Sequence, residues 1–308
     1  MIKVYSPQDF PAYLPKLNSL YDDLFAKGKG FRSLLVSQIC EGLSVPKETQ
    51  RLLCQTIEFI HNSSLLHDDL IDGAELRRGK LAAWKKYSPD YAVLAGDYLL
   101  ARVMVNLSSY GEVKLIHYTA NMISDLVEGE WLQDSIIHDY FVSPDQLDRI
   151  HQLKTASLFK WCLRAPLIAV QNFDQSTHDL LEEMGNLLGL LFQRSDDLLD
   201  YNIRNHEGKA PLGDLKSGYL NSFGAFVAAG MDNVQIDRLV KSSHLDEFVL
   251  ATGSKEIFTD KLKAFDEMNQ RLIDVYMECC RQLSSPFPEA LVNQLKLLPD
   301  FLYWRKQK

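Results

Sequence analysis

The sequence predicts an all-α protein folded as a single helical domain, and three observations carry that expectation. First, apolar residues recur at three- and four-residue spacing. Leu52, Ile57, Ile60 and Ser64 follow one such face, Val93 to Leu107 is a second apolar-rich stretch, and Leu180, Met184, Leu187, Leu188, Leu191 and Phe192 make a third. Second, alternating strand-like runs bounded by turn dipeptides are nearly absent. Third, the 11 prolines and 16 glycines cluster between long uninterrupted stretches, where they punctuate rather than disrupt.

Taken in chain order, helix breaks are expected near Gly28–Gly30, Gly42–Pro46, Gly73–Gly79, Ser88–Pro89, Ser108–Gly111, Ser143–Pro144, Asn172–Gln175, Gly208–Gly218 and Ser284–Pro288. Each joins a glycine, a proline or a capping Ser/Asn to the end of an apolar-periodic stretch. No repeat of fixed period appears, so a solenoid is not expected. No Ser/Gly-rich linker divides the 308 residues, so residues 1–308 read as one domain.

Composition narrows the function. A hydrophobic fraction of 46% with 24% charged residues excludes intrinsic disorder. The longest near-apolar stretch, Phe223 to Met231, is about half of the ~20 residues a bilayer span needs, so no transmembrane segment is expected. With 33 basic and 41 acidic residues the net charge is −8, which argues against nucleic acid as a partner. Five cysteines without paired spacing give neither a disulfide framework nor a zinc knuckle. The N-terminus lacks a basic region followed by an apolar one, so no signal peptide is expected and the protein reads as cytoplasmic.

The most informative segments are His67-Asp68-Asp69-Leu70-Ile71-Asp72 and Ser195-Asp196-Asp197-Leu198-Leu199-Asp200. On a helix, i and i+4 share a face, so Asp68 projects with Asp72 and Asp196 with Asp200. Like charges at that spacing repel. Carboxylates ending an apolar helix therefore need a compensating cation, and magnesium fits an all-oxygen donor set that leaves positions open for phosphate. One Asp-Asp-x-x-Asp is compatible with a solvated acidic face; two, each ending an apolar helix, point to a site.

With these motifs in place the chain resembles the trans-isoprenyl diphosphate synthases, the polyprenyl synthetase family. The resemblance runs over residues 24 to 305 and follows the family's motif order. It includes Gly28-Lys29-Gly30-Phe31-Arg32, the first aspartate motif with Arg77-Arg78-Gly79-Lys80, Ala95-Gly96-Asp97, Lys154-Thr155 and the second aspartate motif. It implies an isoprenoid synthase-type helical bundle around a central cavity and a homodimer. The implied reaction condenses isopentenyl diphosphate with an allylic diphosphate, using magnesium, with three ions when substrate is bound. By the resemblance Asp68, Asp72 and Asp196 hold metal, with Asp69, Asp197 and Asp200 completing the clusters through metal or its waters. Arg77, Lys154, Thr155 and Lys209 would contact the allylic diphosphate, and Gly28, Lys29, Arg32, His61 and Arg78 the isopentenyl one. Phe192 and Gln193 would lie beside the isopentenyl group and the metals. No side-chain base is assigned, since the family's proton acceptor is the released diphosphate.

Three of the motif segments depart from the pattern. Gly30 and Ser33 replace an arginine and a proline, Leu81 replaces a proline, and Tyr219 stands where a second lysine is usual, with Lys216 three residues away. The resemblance implies that the growing chain runs beside the first motif's helix and that its length is set about a turn below the metals, which here is Ser63 and Ser64; small hydroxyls there leave room and predict a product longer than fifteen carbons. Phe59 is a candidate for a deeper floor and equally a packing residue. The C-terminal Tyr303-Trp304-Arg305-Lys306 is either a flap over the site or a loose basic end. Four alternatives stand beside this reading: a short-chain synthase, a class I terpene cyclase, a di-iron bundle for which Glu58 and His61 supply one Glu-x-x-His pair, and a non-catalytic regulatory subunit.

Overall fold

The computed structural model describes residues 9–19, 30–77, 79–202, 211–283 and 285–304. Its elements in chain order are α1 (Phe31–Gly42), α2 (Lys47–Ile71), the two-residue strands β1 (Leu76–Arg77) and β2 (Lys80–Leu81), α3 (Ala83–Lys86), α4 (Pro89–Tyr110), α5 (Val113–Ser135) and α6 (Pro144–His151). A π-helical turn, Gln152–Ala156, leads into α7 (Ser157–Ala169) and α8 (Gln175–Leu199). Then come α9 (Gly213–Lys216), α10 (Ser222–Ala228), α11 (Asn233–Val240), α12 (Leu245–Ala251), α13 (Lys255–Gln282), α14 (Glu289–Leu295) and α15 (Leu298–Tyr303). The protein is all-α, as expected; among the described residues the only strands are the antiparallel pair β1–β2.

The capping chemistry explains why several helices start where they do. Ser88 accepts from Tyr91 N–H ahead of Pro89, and Ser254 accepts from Ile257 N–H. Ser143 and Asp232 each form a capping box with a glutamine three residues on. Between Gly218 and Ser284 the chain breaks more often than expected. Two of those breaks follow glycines at positive φ, Gly230 (86°) and Gly253 (113°), the backbone region in which glycine meets no Cβ penalty.

The chain folds into two compact units. The first holds residues 1–123, 161–178 and 286–291. Its centre is α2, buried on every side from Leu53 to Ile60. The single apolar face expected around Leu52, Ile57, Ile60 and Ser64 is therefore wider than a stripe, as suits a helix surrounded by others. α4 packs closely on α2. Ser63 Oγ donates to Gly96 O at 2.9 Å, and a Cβ on Gly96 would fall 2.2 Å from His67 Nε2. Asp9 is anchored to α2 and α4: its carboxylate accepts from Gln55, Arg102 and Asn106.

The second unit holds residues 124–160, 179–285 and 292–308. Its core is aromatic: Tyr201, Phe223, Phe248, Phe258 and Phe265 meet mostly edge to face at 4.9–6.5 Å between ring centroids. Glycines on α8 admit close neighbours. A Cβ on Gly189 would lie 2.3 Å from Ala156, and one on Gly185 2.6 Å from Lys160. This draws the π-helical turn and the start of α7 onto α8.

Candidate active site

Both aspartate motifs end long helices, so their carboxylates meet the negative end of a helix dipole. Each motif resolves that conflict in the same way. Some of its carboxylates turn inward onto protein donors, and the others stay near the surface.

In the first unit Asp69 turns inward, 3% exposed. Arg77 in β1 binds it by Nε at 2.7 Å from each oxygen and by Nη2 at 2.5 Å. That planar fork on a carboxylate is a strong form of charge-assisted pair. Asp68 is half-buried and Asp72, just past α2, is exposed. Arg32 and His61 come together as the sequence grouped them, with Arg32 Nη1 donating to His61 Nε2 at 3.1 Å. His61 therefore carries its proton on Nδ1.

In the second unit Asp197 and Asp200 turn inward, 3% and 0% exposed. Asp200 accepts from the N–H groups of Gly213 (2.8 Å) and Asp214 (3.1 Å), and so holds the first turn of α9. Asp197 accepts from Ser222 N–H at 2.9 Å, Ser222 Oγ at 2.5 Å and Gln193 Nε2 at 3.0 Å. Burial, with Asp214 adding to it, pushes its carboxyl up to about 7, against the pull of Ser222 and Gln193. Asp196 is half-buried. Its neighbours are braced: Ser195 Oγ donates to Tyr303 O at 2.8 Å, and Arg194 spans Asp148 and Asn269. Asn269 in turn donates to the Tyr303 hydroxyl. The end of α15 is thus fixed beside the second motif.

Thr155 and Gln193 are joined: Thr155 Oγ1 donates to Gln193 Oε1 at 3.0 Å while the same amide donates to Asp197. Lys154, in the π-helical turn, pairs with Glu130 and donates to Gln133 Oε1 at 3.1 Å. Glu130 and Gln133 escaped the sequence reading, although their i, i+3 spacing on α5 was a visible signal. So did Ser222 and Asn221, whose role depends on the fold of the 211–222 loop. Phe192 stacks obliquely on Phe159 at 5.8 Å. Tyr219 is half-buried against the aromatic core, and Lys216 is exposed with Nζ on Pro211 O. Gly28, Lys29, Arg78, Lys209, Arg305 and Lys306 lie outside the described residues.

The structure separates the residues expected to set product length. Ser63 is 1% exposed and its hydroxyl is spent on α4, so it faces a helix contact. Ser64 is half-buried, with its hydroxyl turned back to His61 O at 3.0 Å. Phe59 is fully buried, edge to face with Phe10 at 6.0 Å, as a packing residue.

The less buried carboxylates, Asp68 and Asp72 in the first motif and Asp196 in the second, offer oxygen donors alone, the chemistry that suits a hard divalent ion. Among the described residues no three His, Cys, Asp or Glu side chains gather closely enough to hold an ion by themselves. A bound ion would take its remaining ligands from water and phosphate, as magnesium commonly does.

The polyprenyl synthetase family model matches residues 14–245. The decaprenyl-diphosphate synthase of Dictyostelium discoideum is 35% identical over 240 residues, 77% of this chain and 52% of that protein. A prenyl transferase of Porphyra purpurea is 31% identical over 290 residues, covering 91% of this chain and 86% of that one. This chain thus spans about half the length of the first relative and most of the second. Among solved structures, the polyprenyl synthase of Caulobacter crescentus complexed with calcium and isoprenyl diphosphate superposes with a TM-score of 0.81 at 27% identity, covering 96% and 90% of the two chains.

Proposed function

Because the chain belongs to the polyprenyl synthetase family, we propose that it is a trans-prenyltransferase that condenses isopentenyl diphosphate with an allylic diphosphate primer. Its product is an all-trans polyprenyl diphosphate longer than fifteen carbons, a length supported by the decaprenyl synthase among its relatives and by the small Ser64 below the first motif. The whole chain acts as one domain in this reading, in line with a family match that runs through both structural units.

The observation that carries it is the shared division of labour in the two motifs. Asp69, Asp197 and Asp200 are turned inward onto protein donors. Asp68, Asp72 and Asp196, the less buried of each set, would hold magnesium. Bound there, magnesium supplies Lewis-acid neutralisation of the departing diphosphate. The remaining work falls to the chain's own groups. Arg77, locked by Asp69, presents a guanidinium of fixed direction. Lys154 exchanges Glu130 for phosphate oxygens, and Thr155 adds a hydroxyl oriented by Gln193. Arg32 and His61 receive the isopentenyl diphosphate. Asp69, Asp197 and Asp200 serve as positioning groups here rather than as metal ligands.

We take the working form to be a homodimer, supported by the exposed Leu94 and Val105 on α4. We place it in the cytoplasm on the strength of five buried free cysteines, which suit a reducing compartment. The test is to incubate the purified chain with magnesium, labelled isopentenyl diphosphate and an allylic primer. The expected result is label in products beyond fifteen carbons, lost on chelation and reduced roughly a thousandfold in Asp68→Asn and Asp196→Asn, since a Lewis acid contributes several kcal/mol. No incorporation by the intact chain overturns the proposal.

A further inference from the structure

Helix α1 begins without a cap of its own. Gly30 stands at the N-cap in the left-handed region (φ 56°), and no side chain there bonds a helix N–H. Ser33 does not help, because its hydroxyl donates to Gly30 O at 2.9 Å. The Ser33 N–H is met instead from α2, by Glu58 Oε1 at 3.2 Å. Glu58 is only 9% exposed. A carboxylate at this end of a helix is favoured both by the unpaired N–H groups and by the dipole.

Two thiols hold the same turn from the other side of its peptide groups. Cys54 Sγ donates to Ser33 O at 3.3 Å, and Cys162 Sγ lies 3.8 Å from Arg32 O, which it can reach as a weak donor. Burial pushes the Cys54 thiol up to about 12 and raises that of Cys162 as well, so both stay protonated and keep the hydrogen that the carbonyls accept. Cys54, Glu58 and His61 fall at i, i+4 and i+7 on α2, a single stripe facing the first turn of α1. His61 meets the Arg32 side chain, and the other two meet the backbone that carries it.

We propose that Glu58, Cys54 and Cys162 are positioning residues for Arg32: a borrowed helix cap and a pair of thiol clamps that aim the guanidinium at the isopentenyl diphosphate. This rests on the reading of Arg32 as a ligand of that substrate. None of the three need touch substrate themselves. They act by fixing the Arg32–Ser33 peptide at both its N–H (Glu58) and its carbonyl (Cys162), and the next carbonyl, Ser33 O, through Cys54; a guanidinium on a mobile turn would bind the same diphosphate more weakly.

Steady-state kinetics of the full chain with magnesium test it, varying each diphosphate at saturation of the other. Arg32→Ala checks the underlying reading and should raise KM for isopentenyl diphosphate. Glu58→Ala should raise the same KM about tenfold, the worth of one buried charge-assisted hydrogen bond, with kcat and the allylic KM within twofold of the intact chain. Glu58→Gln keeps the acceptor oxygen and should restore the KM. The double variant Cys54→Ala/Cys162→Ala should follow Glu58→Ala, and Cys54→Ser/Cys162→Ser, which keeps both donors, should reverse it. Should Glu58→Ala fail to fold, the cysteine pair decides. If Arg32→Ala raises the KM while the alanine variants of the other three leave it unchanged, the positioning role is overturned and the reading of Arg32 stands. A uniform loss of kcat with both KM values altered also overturns it. An unchanged KM in Arg32→Ala removes the reading of Arg32 itself.

Discussion

Arg77 Nε lies 2.7 Å from both carboxylate oxygens of Asp69, so the second aspartate of the first motif is committed to an arginine. Asp69→Asn should therefore act through Arg77. We expect kcat/KM to fall by about tenfold, because one strand of a charge-assisted pair is lost. Adding Arg77→Ala to it should cost no more than Arg77→Ala alone, as expected of two groups acting as a unit. Additive losses in that double-mutant cycle would place Asp69 in direct contact with metal.

Ser63 and Ser64 are neighbours in sequence with different surroundings, and a phenylalanine at each should behave differently. At Ser63 the ring would press on Gly96, with a stability loss of about 1–3 kcal/mol by chemical denaturation. At Ser64 the helix should tolerate the ring, and chain-length analysis should show a shorter product. An unchanged product from Ser64→Phe would mean that the growing chain runs past another face of α2.

Gly189 sets the approach of the π-helical turn to α8. An alanine there would gain roughly 1 kcal/mol of helix propensity. Its Cβ, however, would sit 2.3 Å from Ala156 Cα, and backbone has no rotamer to move away. Gly189→Ala should thus lose about 1–3 kcal/mol net in urea unfolding and lower activity through Thr155 and Gln193. A more stable Gly189→Ala would disprove so close a contact.

His151 is buried at the start of the π-helical turn with its Nδ1 unpartnered among the described residues. Burial first, and the cations of Arg194 and Lys154 second, hold its pKa down to about 3. In the unfolded chain the ring titrates near 6.5. The native state thus binds fewer protons than the unfolded one between those values, and stability falls as pH drops from 6.5 toward 3. This one group should contribute a slope of about 1.4 kcal/mol per pH unit, which His151→Gln should remove. Urea midpoints for the two proteins at pH 7, 6 and 5 measure it, and parallel curves would count against a neutral buried His151.

The all-α class and most helix ends were legible because they rest on local chemistry. The breaks at Gly42–Pro46, Ser88–Pro89 and Ser143–Pro144 fall where α1 ends and where α2, α4 and α6 begin. The breaks missed after Gly218 include those at Gly230 and Gly253, where a lone glycine without a proline is followed by a single capping residue, Asp232 or Ser254, and the apolar pattern runs on past it. The π-helical turn has no local signature at all, since what surrounds it is Gly129 on α5 and Gly189 on α8. The six aspartates were legible as a set, but their sorting was not. Which carboxylate turns inward depends on Arg77, Ser222 and Gly213 arriving from elsewhere in the chain.

The five cysteines, all free and buried, give the protein a clock. A thiol reagent can reach them only when the surrounding structure opens, so the rate of labelling measures the rate or population of opening rather than any surface chemistry. Cys40, Cys54 and Cys162 report on one structural unit and Cys279 and Cys280 on the other. If the chain melts as a single cooperative body, mass spectrometry of partly labelled protein will find the two groups of thiols marked together on the same molecules. If the units open separately, it will find one group marked while the other is still intact.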